Sequence, residues 1–154
     1  MSSLQQFCTF LLDGNTFGVP VPAVQEVIQF QEMTPVPLAP AVVSGMINLR
    51  GQIVTAIDLR RRMGLGERSD GQLPLNVIVR TGDEAVSLLV DEIGDVIEVG
   101  EEVLEAPPET LGGASRRMIH GVYKLPDRLL LTLNIDRIVD LEDLRSSAGH
   151  TSHA

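Results

Sequence analysis

The stretch that decides the fold is residues 45–65, which read GMINLRGQIVTAIDLRRRMGL. Two apolar segments, Met46–Leu49 and Ile53–Leu59, flank the pair Arg50-Gly51. Gly51 readily adopts the positive φ that a tight turn needs, and the β-branched residues that follow it favour an extended strand. The stretch therefore predicts a two-stranded β-hairpin with Arg50 in its turn.

A second copy of this pattern lies 76 residues further along the chain. Residues 121–141, GVYKLPDRLLLTLNIDRIVDL, align with residues 45–65 at that constant offset, and most apolar positions coincide. Upstream, Val24–Ile28 matches Ile93–Ile97 at a similar spacing. The alignment predicts an internal duplication, with a chance similarity between amphipathic hairpins as the alternative. Identical residues occupy four aligned pairs: Gly45 and Gly121, Leu49 and Leu125, Arg61 and Arg137, and Leu65 and Leu141.

Alternating apolar side chains mark most of the remaining chain as β-strand. The 154 residues suit one domain, which we place at residues 5–143. The duplication divides it into two intertwined barrel lobes of about five short strands each, roughly residues 15–65 and 76–143, which share one hydrophobic interior. The remaining segments are a linker at Gly64–Pro74, a helical piece at Pro22–Phe30 and a disordered tail at residues 144–154.

Charge limits the kind of partner that the chain binds. The formal net charge of −9 disfavours nucleic acid and anionic lipid, because both attract basic surfaces. Residues 91–109 carry many acidic side chains and no Lys or Arg, as a solvated face or a docking surface for a basic partner would. The main basic cluster, Arg60–Arg62, follows the hairpin and is expected in a surface turn.

Cysteine content and hydropathy indicate the compartment. Cys8 is the only cysteine, so no intrachain disulfide forms. No apolar run approaches the ~20 residues that a membrane helix requires. These features predict a cytoplasmic protein without direct membrane insertion.

The sequence contains no recognisable catalytic or metal-binding motif. It lacks a phosphate-cradling Gly-rich loop, a dinucleotide fingerprint and paired Cys or His residues at metal-ligand spacing. His120 is the one histidine outside the tail, and a structural role suits it better than a catalytic one. We therefore expect no enzyme activity, no catalytic residues, no metal and no cofactor. A small β-barrel hydrolase with paired carboxylates is the remote alternative.

The duplication fails at one informative position. Arg50 in the first hairpin is replaced by Pro126 in the second, so the role of Arg50 belongs to one lobe only. Glu26 is the nearest acidic candidate in that lobe, and we expect a Glu26–Arg50 ion pair. An exposed ion pair contributes about 0–1 kcal/mol to stability, so this one is better explained as shaping a binding surface. The alternative is that Arg50 is a solvated turn residue.

Seven short segments form a recognisable set: Val24–Ile28, Thr34–Pro37, Gly45–Val54, Asp58–Arg60, Leu89–Ile93, Val96–Ile97 and Leu133–Arg137. Together they resemble the CheW-like domain of bacterial chemotaxis coupling proteins. The resemblance covers about residues 5–143, and Asn-Leu-Arg-Gly in this setting is quite specific. One departure is Asn134, where many relatives carry Asp. No receiver domain or kinase core accompanies the set, so a stand-alone coupling protein is the expectation.

The resemblance implies two SH3-like five-stranded β-barrel lobes with short helical segments, in agreement with the duplication. It also implies a non-enzymatic adaptor whose partners are the regulatory domain of the histidine kinase CheA and the cytoplasmic tip of methyl-accepting chemoreceptors. Such an adaptor is cytoplasmic and is recruited to membrane-associated receptor arrays. The alternative is a CheW-like adaptor of another chemosensory pathway, with pilus motility or a second messenger as its output.

The resemblance further suggests where the partners bind. A receptor tip is a helical hairpin, which would lay an apolar face into a groove between the lobes. The kinase domain would contact one end of the first barrel. Receptor binding is assigned to Glu26, Gly45, Asn48 and Arg50 at the rim of the groove and to Val86 and Leu88 on its floor. Kinase binding is assigned to Val21 and Val24, with core packing as the alternative.

Overall fold

The computed structural model describes residues 4–69, 71–100, 104–105 and 112–140. The predicted tail, residues 144–154, lies outside these described residues. The strands are β1 Leu4–Leu12, β2 Asn15–Pro20, β3 Val24–Ile28, β4 Val43–Leu49, β5 Gln52–Asp58, β6 Leu75–Thr81, β7 Glu84–Val90, β8 Glu92–Gly100, β9 Leu104–Glu105, β10 Ile119–Lys124 and β11 Leu129–Leu133. The helices are a 3₁₀ helix at Val21–Ala23 and the α-helices α1 Leu59–Arg62, α2 Gly113–Met118 and α3 Ile135–Ile138.

The strands form two sheets. One sheet has the order β8-β1-β2-β11-β10-β9, and the other has the order β3-β6-β7-β5-β4. Because β9 is only two residues long, each sheet has five principal strands. Each sheet also contains one parallel pair, β2 with β11 and β5 with β7. The predicted mainly β fold with two five-stranded lobes is confirmed.

The two sheets repeat one strand order, which confirms the internal duplication. In the five-stranded sheet β6 and β7 take the places of β1 and β2, while β3, β4 and β5 take the places of β8, β10 and β11. Helix α1 begins at Leu59 and α3 at Ile135, at the same offset as the sequence alignment. The strand registers shift next to Gly45 in one sheet and next to Gly121 in the other.

The two halves of the chain exchange strands. The hairpin β1–β2 from the first half joins β8, β10 and β11 from the second, and the hairpin β6–β7 joins β3, β4 and β5. The sheets therefore do not follow the consecutive ranges 15–65 and 76–143 that we predicted for the lobes. Because each sheet needs strands from both halves, neither half can build a complete sheet alone.

Both sheets contribute to one large hydrophobic core. Phe10 and Phe17 enter it from the six-stranded sheet, and Ile57 and Leu88 enter it from the five-stranded sheet. Two smaller clusters lie within the separate lobes: Ile47, Leu49, Val54, Ile78 and Ala85 in one, and Phe7, Val99, Tyr123 and Leu130 in the other. The predicted shared interior is thus confirmed.

The predicted helix at Pro22–Phe30 is wrong. The chain makes one 3₁₀ turn at Val21–Ala23 and then continues as strand β3, which pairs antiparallel with β6. The spacing of the apolar side chains fits a helix face, but three of the five residues of β3 are Val or Ile. Such β-branched side chains favour a strand, and β6 supplies the backbone hydrogen bonds.

Candidate functional site

The turn between β4 and β5 has the geometry that the sequence predicts. Arg50 and Gly51 have φ values of 52° and 88°, which is the pattern of a two-residue type I′ hairpin turn. Asn48, which is exposed, accepts a hydrogen bond from the Gly51 amide through Oδ1 at 2.8 Å. A non-glycine residue in this left-handed region costs about 1 kcal/mol, and Asn or Gly would suit the position better than Arg. The turn alone does not explain why Arg50 is present.

Arg50 forms the predicted ion pair with Glu26. Arg50 Nη2 donates to Glu26 Oε2, and the two side chains are 68% and 24% exposed. The hydrogen bond from Arg50 is the main reason that the pKa of Glu26 is lowered from its ordinary value. Strands β3 and β4 are the two edge strands of the five-stranded sheet. The pair therefore links Glu26 on β3 to the turn after β4, although three strands lie between β3 and β4 in the sheet.

Removal of Arg50 is expected to return the pKa of Glu26 toward its ordinary value. A lowered pKa in the folded protein means that the interaction is fully present above the pKa of the unfolded chain and is lost as pH falls through the folded value. An NMR titration of the Glu26 carboxyl in wild type and Arg50→Ala measures the change. Arg128→Ala removes an exposed arginine near the hairpin turn of the other sheet and should leave this titration unaltered. An unchanged titration in Arg50→Ala would show that the pair does not form in solution.

Gly45 is buried and shapes the backbone beneath this turn. Its φ is 156°, and an added Cβ would lie 2.7 Å from Thr34 O and 2.9 Å from Met33 Cβ. Thr34 and Met46 exchange two backbone hydrogen bonds of 2.8 Å each. The segment that precedes β4 therefore presses directly on Gly45, so this glycine acts through close packing of the backbone.

Val86 and Leu88, assigned to the floor of a groove, lie inside the core. Their exposed fractions are 6% and 0%, and both belong to the large cluster shared by the sheets. Strand β7 is a central strand with both faces covered, so its alternating pattern does not identify an exposed face. A partner docked on the folded protein cannot touch Leu88.

Val21 and Val24, assigned to kinase binding, lie at the junction between the two sheets. Val21 is in the 3₁₀ helix and Val24 begins β3, and both are half-buried. Val24 packs against the shared core. Each side chain is therefore partly packed against the protein and partly accessible to solvent.

Several large apolar side chains are exposed near the Glu26–Arg50 pair in sequence. Of the eight in the described part of the chain, four fall within residues 27–53. Their exposed fractions are 42% for Val27, 104% for Leu38, 36% for Met46 and 60% for Ile53. The five-stranded lobe thus carries the Glu26–Arg50 pair together with four exposed large apolar side chains.

A buried ion network, which the sequence analysis missed, lies where β5 and β7 end. Asp91 Oδ1 and Oδ2 accept hydrogen bonds from Arg60 Nε at 2.9 Å and Nη2 at 2.6 Å. Arg68 Nε lies 3.0 Å from Asp91, and Arg68 Nη1 lies 3.1 Å from Asp58 Oδ2. None of these four side chains is more than 11% exposed. In the sequence, the acidic Asp58 and the basic Arg60 stand two positions apart at the end of an apolar strand, and this is the signal that could have indicated the network.

The predicted basic surface turn at Arg60–Arg62 is wrong for two of its three residues. The segment forms helix α1, in which Arg60 and Arg62 are buried. Arg62 donates to the carbonyl oxygens of Arg137 at 2.6 Å and Ile138 at 3.0 Å, at the end of α3. Arg60 donates to Gly66 O at 2.8 Å, which ties the predicted linker to the folded body. A guanidinium group has enough donors to satisfy several carbonyls, which makes its burial possible.

Two further features concern chemistry and membranes. Among the residues that the structure describes, no group of three or more His, Cys, Asp or Glu side chains is arranged to hold a metal ion. Within the same described ranges, no helix has the length and apolar character needed to cross a membrane.

Comparison with known proteins gives a consistent family assignment. The family model described as a CheW-like domain matches residues 6–143. Chemotaxis protein CheW of Treponema pallidum is 32% identical over 148 residues, covering 94% of this chain and 87% of that protein. Chemotaxis protein CheW of Bacillus subtilis is 30% identical over 143 residues, covering 93% and 92%. The crystal structure of scaffolding protein TtCheW from Thermoanaerobacter tengcongensis is 28% identical, with a TM-score of 0.76 and 86% of each chain covered.

Proposed function

The chain belongs to the CheW-like domain family, and we propose that it is a non-enzymatic adaptor that couples chemoreceptors to the histidine kinase CheA in bacterial chemotaxis. Its relatives are named chemotaxis proteins, and the solved relative is described as a scaffolding protein. The adaptor would act in the cytoplasm at membrane-associated receptor arrays. There it would hold the kinase regulatory domain and the receptor tips in one assembly.

The observation that carries the proposal is the exposed Glu26–Arg50 pair. The pair occurs in one lobe only, because Pro126 stands at the corresponding position of the other lobe. Arg50 occupies a backbone conformation that disfavours it and remains 68% exposed. An exposed ion pair adds little stability, whereas an ordered pair of charges on a surface can orient and select a partner. Partner binding therefore explains the pair better than folding does.

The receptor tip is proposed to bind around this pair. Glu26, Asn48 and Arg50 would supply polar contacts at the rim, and nearby exposed residues such as Met46 and Ile53 would meet the apolar face of a helix. Gly45 would support this surface through its backbone packing. Val86 and Leu88 would contribute only by holding the core in place.

The kinase regulatory domain is proposed to bind at the end of the lobe that carries Val21 and Val24. Val21 lies in the 3₁₀ helix and Val24 at the start of β3, and both side chains are half-buried, so each remains partly accessible on a regular element. A rigid surface lowers the entropy cost of association. The receptor and the kinase would then occupy different parts of one lobe.

A reconstitution experiment tests the adaptor function. Autophosphorylation of the kinase is measured with receptor-bearing membranes, with and without this protein, and with and without a receptor ligand. We expect that ligand control of the kinase requires the protein. Identical control in its presence and absence would show that the protein is not the coupling component.

The variant Arg50→Ala is expected to remain folded and to bind receptor about tenfold more weakly, with a matching loss of kinase control. Arg50 is exposed, so its removal leaves no buried group without a partner. Circular dichroism, pull-down with receptor membranes and the kinase assay measure the three properties. Arg128→Ala is the control, since this exposed arginine lies in the other lobe.

A double-mutant cycle with Glu26→Ala separates the pair from its individual charges. If the pair acts as a unit, the double variant should bind receptor no more weakly than either single variant. Additive losses would mean that each charge contacts the receptor independently. Unfolding of Arg50→Ala would instead assign Arg50 to the fold.

A further inference from the structure

We infer that Asn76 and Ser87 are positioning residues, which hold the end of β3 in place for the Glu26–Arg50 pair. This inference rests on the proposed adaptor function and adds two residues to the surface proposed for the receptor tip. Both side chains are fully buried, so neither can touch a partner docked on the folded protein. They would act through the backbone of β3.

Two hydrogen bonds connect the central strands of the sheet to the end of β3. Ser87 Oγ on β7 donates to Asn76 Oδ1 on β6 at 2.7 Å. Asn76 Nδ2 in turn donates to Gln29 O at 3.1 Å. Gln29 comes directly after β3, and the last paired residue of that strand, Ile28, stands opposite Asn76. The two side chains thus extend the attachment of β3 by one residue beyond the strand pairing.

Strand β3 lies at the edge of its sheet. It is five residues long and borders β6, and the register between these strands shifts between Val24 and Glu26. Gln31 Nε2 also donates to Gln29 O, at 3.3 Å, but this bond is local and Gln31 is outside the sheet. Asn76 is therefore the side chain that fixes the Gln29 carbonyl to the sheet.

The other lobe has an apolar residue at the position of Asn76. In that lobe β1 and β8 take the places of β6 and β3. Phe7 pairs with Ile97 there, and Asn76 pairs with Ile28 here. Phe7 therefore corresponds to Asn76, and it is 2% exposed within the small hydrophobic cluster of its lobe. The fold accepts an apolar side chain at this position.

Ser87 has no polar counterpart in the other lobe either. Ser87 pairs with the residue two positions after Asn76, and Gly18 pairs with the residue two positions after Phe7. Gly18 thus takes the place of Ser87 and carries no side chain. Burial of a polar group costs free energy that its hydrogen bonds must offset, so folding alone does not call for this pair. The polar pair occurs in the lobe that also carries the Glu26–Arg50 pair.

The position of β3 controls the geometry of that ion pair. Glu26 lies three residues before Gln29 on the same segment. Its carboxylate meets Arg50 in the turn after β4, at the other edge of the sheet. Loss of the bond from Asn76 would free the end of β3 and let Glu26 move away from Arg50. A binding surface keeps its geometry when buried hydrogen bonds support the residues that form it.

An NMR titration of the Glu26 carboxyl tests this inference without any partner. The variant Asn76→Leu with Ser87→Ala replaces both buried groups by apolar side chains, a change that is often nearly neutral for stability. Gln29 is exposed, so water can replace the lost donor at its carbonyl. We expect a melting temperature close to that of wild type. The pKa of Glu26 should rise toward its ordinary value, because the hydrogen bond from Arg50 is the main cause that lowers it.

Thr132→Val is the matched control. Thr132 is 1% exposed and its hydroxyl donates to Gly121 O at 3.0 Å, so it is another buried side chain bonded to a backbone carbonyl. It lies in the six-stranded sheet, and its replacement should leave the titration of Glu26 unaltered. Ser87→Ala alone is a second test variant. It removes one hydroxyl and should shift the titration in the same direction by a smaller amount.

Receptor binding, measured by pull-down with receptor membranes, connects this inference to function. The variant Asn76→Leu with Ser87→Ala should bind receptor about three- to tenfold more weakly than wild type. In the Arg50→Ala background the same two changes should cause no further loss, because they act through the ion pair. A merely structural role would lower binding in both backgrounds.

The possible outcomes separate this inference from the proposed function. An unaltered Glu26 titration in the variant Asn76→Leu with Ser87→Ala would overturn the inference. Unfolding of both this variant and Ser87→Ala would also overturn it, because the two residues would then belong to the fold. Further loss of receptor binding in the Arg50→Ala background would do the same. The expected shift in titration, with a wild type that fails to bind receptor, would support the positioning role and overturn the adaptor function.

Discussion

Replacement of Asp91 by alanine is expected to lower the free energy of unfolding by about 3–5 kcal/mol, because it breaks a buried ion network from the middle. Asp91 is 9% exposed and accepts hydrogen bonds from the Arg60 side chain and from the Asp13 amide. Arg68 lies beside it at 3.0 Å. Without the carboxylate, the nearly buried Arg60 would lose its main anionic partner, and Arg68 would keep only Asp58.

The charge state of Asp91 makes this contribution depend on pH. Burial by itself raises the pKa of Asp91, but the hydrogen bonds from Arg60 and the Asp13 amide, with the charges of Arg60 and Arg68, lower it overall. The stabilisation is therefore complete above the pKa of an unfolded aspartate, about 3.9, and is lost as pH falls through the lower folded value. Wild type should lose this contribution in acid, whereas Asp91→Ala lacks it at every pH.

Urea denaturation at neutral and acidic pH measures both effects. Glu92→Ala is the matched control, because the neighbouring Glu92 is exposed, and the change should lie within about 0.5 kcal/mol of wild type. A double variant, Arg60→Met with Asp91→Leu, should be less destabilised than Asp91→Ala. It replaces both members of the buried ion pair by apolar side chains, so neither charge is left without the other. Stability of Asp91→Ala equal to that of Glu92→Ala would mean that water reaches the network and screens it.

The sequence predicted the features of this protein that depend on neighbouring residues. The Arg50-Gly51 turn follows from the positive φ that glycine permits. The 76-residue offset also aligns Asp58 with Asn134, and in the structure both residues cap short helices that the sequence analysis did not predict. Asp58 Oδ1 accepts from Arg60 N, and Asn134 Oδ1 accepts from Arg137 N. Asn at this position keeps the cap, because either side chain supplies an accepting oxygen.

Features that depend on distant parts of the chain could not be predicted in the same way. The exchange of β1–β2 with β6–β7 leaves no mark on the local sequence pattern, because the alternation of apolar residues within a strand does not say which other strands it joins. Leu88 alternates like a half-exposed residue but lies in a strand covered on both faces. Arg60 looks like a surface residue until Asp91, which is distant in sequence, is placed against it. The Glu26–Arg50 pair was predicted because the duplication placed both residues in one lobe.

The second large effect is expected at Gly45, where Gly45→Ala should lower the free energy of unfolding by about 2–4 kcal/mol. The new methyl group would lie 2.7 Å from Thr34 O, so the backbone of the preceding segment would have to move. The φ of 156° adds strain for any residue with a side chain. Movement of Thr34 would also weaken its two hydrogen bonds to Met46.

Urea denaturation again measures the change, with Gly66→Ala as the control. Gly66 has open space around it and no positive φ, so its replacement should be nearly neutral. Wild-type stability in Gly45→Ala would show that the segment at Met33 and Thr34 does not approach β4 as closely as the structure has it.

Receptor binding of Gly45→Ala, measured by pull-down alongside its stability, decides how Gly45 relates to partner binding. If Gly45→Ala binds receptor weakly and is also destabilised, the loss of binding follows from a displaced β4 and does not identify Gly45 as a contact. Arg50→Ala offers the comparison, since its turn stays intact and any loss of binding arises at the surface. A surface contact at Gly45 would require weak binding in a variant that is as stable as wild type. The close approach of Thr34 makes that combination incompatible with this fold.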